Sequence, residues 1–270
     1  TNENYTVRSN GNTYVLRIPG QGSEVMINRE FELFNSKAAA KAEVSPRVLE
    51  SLQPENILVI EFLEGEVMHP ETVAADDQKI ENIGNTLKRL QENAEFGNTT
   101  YVFDMIRHYV TMCREVGATL PRDFDGMLRV MDEIEKAMER NKPPLAASHN
   151  DLLSENFIVD PGGRLWIIDW EYGGMNDPFF DLGDVAVEHP LSQKQEELLL
   201  AAYAGRLESE ELARMRLHKL TADVWWGMWG MIQDKISALD FDFKSYGFDR
   251  FERFRKNHAH GNTPALLERL

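Results

Sequence analysis

A chain of 270 residues, 42% hydrophobic and 27% charged, has the composition of a folded protein and is long enough for two lobes or one large domain. Its 29 basic and 45 acidic residues leave a formal charge of −16, which repels nucleic acid and anionic membrane and attracts small cations. The single cysteine, Cys113, excludes an intrachain disulfide and a cysteine-rich zinc site and suits a reducing compartment. No apolar run approaches the roughly 20 residues of a membrane-spanning helix. The first five residues carry neither a basic nor an apolar leader pattern, so the expected location is cytoplasmic, without membrane insertion.

The chain opens with two alternating runs, Tyr5-Thr6-Val7 and Tyr14 to Ile18, joined by Asn10-Gly11-Asn12, a pattern that predicts a hairpin. Arg17 sits inside the second, otherwise apolar run, where a charge needs a partner. The helical stretch from about Asn28 to Ala42 offers Glu30 or Glu32. Residues 57–63, ILVIEFL, predict the last strand of a small N-terminal lobe, and Glu64-Gly65-Glu66 a hinge, which divides the chain into lobes 1–65 and 66–270.

Beyond Asp76 the chain turns helical. Ile80, Ile83, Leu87 and Leu90 recur at helical spacing, as do Met127, Met131, Ile134 and Met138, and both stripes predict core faces. Ser192 to Gln195 predicts a capping box for a helix ending near Gly205. The last long helix is expected from about Ser209 to Ser237. There Trp226 and Trp229 share one face, and Trp225, Met228 and Ile232 share a second, core-directed one.

The most informative stretch is Ser148 to Gly183. His149-Asn150-Asp151 is followed five residues after the Asp by Asn156, then by the apolar runs Phe157-Ile158-Val159 and Leu165 to Ile168 around Asp160-Pro161-Gly162-Gly163. These predict a hairpin whose folding returns Asp169 towards Asn156, so that an amide oxygen and a carboxylate can share a hard cation such as Mg²⁺. Asp151 is then free to face a substrate hydroxyl. This is the logic of the kinase catalytic loop, H-x-D-x-x-x-x-N, followed by a metal-binding Asp at the next strand end. In that logic Arg17 and a helix carboxylate form the phosphate-side ion pair, and backbone groups at the hinge, around Glu61 and Phe62, hold a purine base.

With these motifs, and with WWGMWGMIQDKISALDFDF followed by Lys244-Ser245-Tyr246, the chain resembles the choline/ethanolamine kinase family within the aminoglycoside phosphotransferase superfamily over nearly its whole length. The resemblance implies an α+β, protein-kinase-like fold with a small β-rich N-lobe and a larger, mostly helical C-lobe. It implies ATP and Mg²⁺ as cofactors, Asp151 as base, and Asn156 and Asp169 as metal ligands. Arg17 falls at the phosphate-contacting cation, with Glu32 its helix partner. Glu171 matches an acid near the amine pocket, and Trp226, Trp229, Phe241 and Tyr246 match the aromatic box for a trimethylammonium group. Asp181 matches a buried acid bracing the catalytic loop. The family carries a glycine pair before a Ser/Thr-Asn, whereas this sequence begins at Thr1-Asn2. Those two residues are expected at the nucleotide, with the first strand and part of the phosphate loop absent from the sequence as given. A second departure is Leu153, where eukaryotic choline kinases carry a polar residue. The expected activity is phosphorylation of a small cationic amino alcohol, choline first, by a monomer or homodimer. Ethanolamine kinase, aminoglycoside phosphotransferase and a non-catalytic kinase-fold binding protein are the alternatives.

Overall fold

The computed structural model describes residues 2–20 and 22–270. The N-terminal hairpin forms as its pattern predicts. Strands β1 (Asn2–Ser9) and β2 (Asn12–Pro19) pair antiparallel across Asn10-Gly11, whose φ angles of 51° and 80° are the left-handed values that a tight hairpin turn demands. With β3 (Val48–Leu52) and β4 (Ile57–Glu61) they make an antiparallel sheet of order β1-β2-β4-β3. Helix α1 (Arg29–Lys41) lies between β2 and β3 in the chain, and Asn28 caps it by accepting from the Glu30 and Phe31 amides at 3.0 and 3.2 Å. Its buried face, Glu32, Asn35, Ser36 and Ala39, follows helical spacing yet is polar or small. Glu32 and Asn35 meet charged and amide partners, while Ala39 joins an apolar cluster with Val44 and Val73. Asn35 donates to the Asn98 side chain and to the Gly173 carbonyl, both at 2.9 Å, which ties α1 to the segment carrying the motif.

The chain then crosses through β5 (Glu66–Val67), which pairs with a strand of the second sheet, into a mostly helical body. The helices there are α2 (Pro70–Ala74), α3 (Asp77–Asn93), α4 (Val102–Glu115), α5 (Phe124–Met138) and, later, α6 (Phe180–Glu188), α7 (Gln193–Ala204) and α8 (Ser209–Ile236). Both predicted stripes are core: Ile80, Ile83, Leu87 and Leu90 are fully buried, and Met127, Met131, Ile134 and Met138 nearly so. The capping box at Ser192 forms, and Gly205 ends α7 at a φ of 71°. Between α5 and α6 lie short strands, β6 (Ala146–Ser148), β7 (Phe157–Val159), β8 (Leu165–Ile167) and β9 (Gly174–Asn176), paired as β5-β7-β8 and β6-β9.

Helix α8 is not the last long helix. It is followed by α9 (Phe243–His260) and the short α10 (Thr263–Leu267). Helices α8 and α9 approach closely because both carry glycine at the crossing. A Cβ at Gly230 would lie 2.9 Å from Gly247 backbone atoms and the Tyr246 ring, and one at Gly247 would lie 2.8 Å from the Gly227 carbonyl. This seam sets Tyr246 against Trp229, with ring centroids 5.5 Å apart.

Candidate active site

The motif hairpin is anchored at both strands. Phe157 and Ile167 face each other in register and are fully buried. The Asp160 carboxylate closes the turn by accepting from the Gly162 and Arg164 amides at 2.9 Å and from the Trp166 indole at 3.0 Å. At the open end the Ile168 amide donates to the Asn156 carbonyl at 3.0 Å, which brings Asn156 and Asp169 side by side. Asn156 spends its Nδ2 on the Asp151 carbonyl at 2.8 Å, so its amide oxygen is the atom left for a ligand. Asp169 stands at a left-handed φ of 71°, with one carboxylate oxygen on the Arg17 guanidinium. These are hard oxygen donors of the kind Mg²⁺ takes, one amide and one carboxylate.

The loop before the hairpin is held from below. Asp181, fully buried, accepts from the His149 and Asn150 amides, both at 2.8 Å. Asn150 adopts a φ of 72° and is locked by Thr100, the Tyr172 carbonyl and Asn176. Burial lowers the His149 imidazole to about 4, so the ring is neutral, with Nε2 donating to the Ile168 carbonyl at 2.8 Å. The half-buried Asp151 carboxylate accepts no hydrogen bond from any described residue. Burial and the neighbouring charges of Asp169, Glu171 and Glu188 push it well above the usual carboxylate range.

On the sheet side the expected pair forms with Glu32, not Glu30. Arg17 Nε donates to Glu32 at 2.8 Å, and its Nη2 reaches Asp169, with Glu171 at 3.4 Å. Sequence reasoning missed a second cation: Arg29 donates to Glu32 at 2.6 Å and lies 3.5 Å from Glu171. Its one signal is its position a helical turn before Glu32. Burial works against charge at Asp169, but the Arg17 guanidinium holds its carboxyl below the usual range. Arg17 and Arg29 thus stand among the carboxylates of Glu32, Asp169 and Glu171 in one charge network.

Glu171, expected near the amine pocket, lies among the sheet-side charges, and its charge also bears on Asp151 and Tyr172. It is engaged by Arg17, Arg29 and the Asn2 amide, whose Nδ2 donates to it at 2.5 Å, so it belongs to the sheet-side charge network. Asn2 therefore does approach the site, while Thr1 lies outside the described residues. At the hinge, the Glu61 amide and carboxylate are both taken by Arg47, at 2.9 Å in each case, so neither is open to a base. Phe62, just beyond the strand, is 38% exposed.

The aromatic residues form one connected group. Trp229 is half-buried and donates from its indole to the Tyr172 hydroxyl at 2.7 Å. Tyr246 meets it edge-on, and Phe241 meets Tyr246 at 6.2 Å while staying 57% exposed at the rim. Trp226 departs from expectation. It is 3% exposed, stacked on the fully buried Trp225 at 5.4 Å, and edge-on to Tyr172 at 5.0 Å. It backs the group as a floor and presents no open ring face. Tyr172, missed from the sequence, joins the two tryptophans.

Three further charged residues, Glu188, Arg250 and Arg253, escaped the sequence reading. Glu188, on the last turn of α6, is gripped by Arg250 at 2.8 Å and Arg253 at 2.6 Å. Arg250 also lies over the Tyr246 ring, 4.3 Å from its centroid. On α9, Tyr246, Arg250, Arg253 and Asn257 recur at helical spacing, a half-buried polar row beside the buried Phe243, Phe251 and Phe254.

A family model described as choline/ethanolamine kinase matches residues 1–198. Protein LicA of Haemophilus influenzae is 30% identical over 266 residues, covering 93% of this chain and 96% of that one. Ethanolamine kinase 2 of Mus musculus is 26% identical, covering 90% of this chain and 69% of that one. A solved choline/ethanolamine kinase family protein from Mesorhizobium loti superposes with a TM-score of 0.87 at 32% identity, covering 99% of this chain and 89% of that one. A neutral histidine ordering an Asp-centred loop, oxygen donors at the end of the following hairpin and an arginine–glutamate pair on the facing sheet therefore occur in a chain with such relatives across its length, and the chain belongs to the choline/ethanolamine kinase family, kinases that act on an alcohol group.

Proposed function

We propose that this protein transfers the γ-phosphoryl group of ATP to the hydroxyl of choline. The observation carrying the choice of acceptor is the connected aromatic group of Tyr172, Trp229 and Tyr246; burial, and after it nearby charges that include Asp151, raises both phenols above their ordinary range. A trimethylammonium group has no N–H to donate, so ring faces are its natural partners, each contributing about 2 kcal/mol or more when desolvated. A primary ammonium has three N–H donors to satisfy. The nearby carboxylates Glu171 and Glu188 are already spent on arginines, which favours choline over ethanolamine. A polycationic antibiotic would need a broad acid-lined cleft, and these walls are aromatic.

In this reading the acceptor oxygen attacks the γ-phosphorus, the bond to the β,γ-bridging oxygen breaks, and Asp151 takes the hydroxyl proton. Asn156 and Asp169 would hold Mg²⁺, which, when bound, neutralises phosphate charge. Arg17 faces the phosphates from the sheet, with Glu32 and Arg29 fixing its plane. The chain near Phe62 holds the base.

An ADP-release assay across choline, ethanolamine, thiamine and kanamycin tests the acceptor, with choline expected to have the highest kcat/KM. A higher value for ethanolamine would remove the choline assignment, and silence on all four would remove the kinase reading. Replacing Trp229 by Ala is expected to raise the KM for choline roughly 30-fold, the equivalent of one desolvated cation–π contact, and to leave that for ATP unchanged. Equal effects on both substrates would show that Trp229 only supports the fold.

A further inference from the structure

Asp181 is not the only acid of α6 beneath the catalytic loop. One turn on, Asp184 is fully buried and accepts from the Leu152 amide at 2.7 Å through Oδ2. The two carboxylates thus bracket Asp151: Asp181 takes the amides of residues 149 and 150, and Asp184 takes that of 152. The Asp151 amide points to His149 Nδ1 at 3.3 Å, and its carbonyl accepts from Asn156. Every backbone amide from 149 to 152 is therefore tied, and the Asp151 side chain is the polar group left to act.

The other oxygen of Asp184, Oδ1, is buried and has no hydrogen-bond partner among the described residues. An ionised carboxylate left so in a dry site is costly, whereas a carboxylic acid with its proton on Oδ1 still accepts through Oδ2. The surrounding charges are mainly acidic: Asp151 on the loop, and Asp181 and Glu188 on the same helix. The cations from α9, Arg250 and Arg253, are committed to Glu188, and Asp223 of α8 is held by Arg253. We infer that Asp184 is a positioning residue for phosphoryl transfer, a neutral acid that fixes the Leu152 amide and so aims the Asp151 carboxylate. Burial, and after it the charge of Glu188, pushes the Asp184 carboxyl well above its ordinary range, in keeping with a retained proton.

This inference rests on the kinase reading, and one experiment separates the two. Wild type, Asp184→Asn and Asp184→Ala are compared for kcat, both KM values and the pH profile of kcat/KM with choline and Mg-ATP. Hydrogen exchange at the Leu152 amide is followed alongside. A wild type without turnover defeats the kinase reading, and the exchange measurement still reports on the clamp. Asp184→Ala is expected to lower kcat about 10- to 100-fold, the scale of a small misplacement of a reacting group, with both KM values unchanged and Leu152 exchange accelerated. Asp184→Asn keeps an acceptor oxygen and no charge, so it is expected to restore kcat, the pH profile and slow exchange. The inference is overturned if Asp184→Ala turns over like wild type, or if Asp184→Asn is as impaired as Ala. It is equally overturned if Asp184→Asn moves the acid limb to lower pH, since that would reveal a negative charge beside Asp151 in the native protein. If the Ala variant does not fold, the Asn pH profile and exchange rate decide.

Discussion

Replacing Asp151 by Asn is expected to cut turnover by about 10²- to 10⁴-fold, the usual worth of a general base, while raising the melting temperature. Both effects come from one carboxylate. It stands in a half-buried position without a hydrogen-bond donor, near the charges of Asp169, Glu171 and Glu188, and its folded-state pKa is pushed well above the ordinary range. Such a group favours the fold while it is protonated, and that contribution is lost as pH rises through its folded-state value. At neutral pH the native enzyme therefore bears a cost that an amide does not, the familiar tension between activity and stability. In wild type the acid limb of kcat/KM is expected above the usual carboxylate range, because the base must be ionised. Near-native turnover in Asp151→Asn would show that the base lies elsewhere. An unchanged melting temperature would show that the carboxylate is not disfavoured in the folded state.

Arg17→Met should act in the opposite sense on stability and should damage nucleotide use. The substitution takes the Arg17 cation from Glu32, Asp169 and Glu171, and removing one partner from buried ion pairs in this way typically costs about 3–5 kcal/mol. The KM for ATP is expected to rise while that for choline holds. Asp169 titrates below its unfolded value, so the native pair stabilises above the unfolded carboxylate pKa and loses this as pH falls through the folded value. The stability gap between wild type and variant should therefore narrow in acid. Urea melts at neutral and acid pH measure it, and a gap that is constant with pH would mean that the ion pairs are not its source.

How much of this was legible in the sequence follows from where each signal is local. The hairpin from Phe157 to Ile167 with its flanking Asp151, Asn156 and Asp169 is written within twenty residues, and it forms with those side chains at its open end. The Asn10-Gly11 turn and the Ser192 box are equally local. Arg29, Glu188 and Asp184 are single charges on helices, and their meaning arises only from partners brought in by the fold. Helix α8 is buried nearly all round, so its pattern did not say which indole would stay covered, and Trp226 proved to be a floor. Helix α9 buries an apolar face of Phe243, Phe251 and Phe254, while the half-buried row Tyr246, Arg250, Arg253 and Asn257 beside it finds its partners only in the fold. Glu171 was legible as an acid beside the motif, whereas the two arginines that engage it were not.

In the proposed reading, the glycine seam between α8 and α9 would make the width of the amine pocket a property of main chain. Trp229 rides one helix and Tyr246 the other, and at Gly230 a single added methyl would sit 2.9 Å from both the facing backbone and the Tyr246 ring. One carbon there acts as a wedge that widens the gauge between the two rings, with every residue that touches the headgroup left in place. Acceptor size in this architecture can thus drift from one descendant to another through positions that never meet the acceptor.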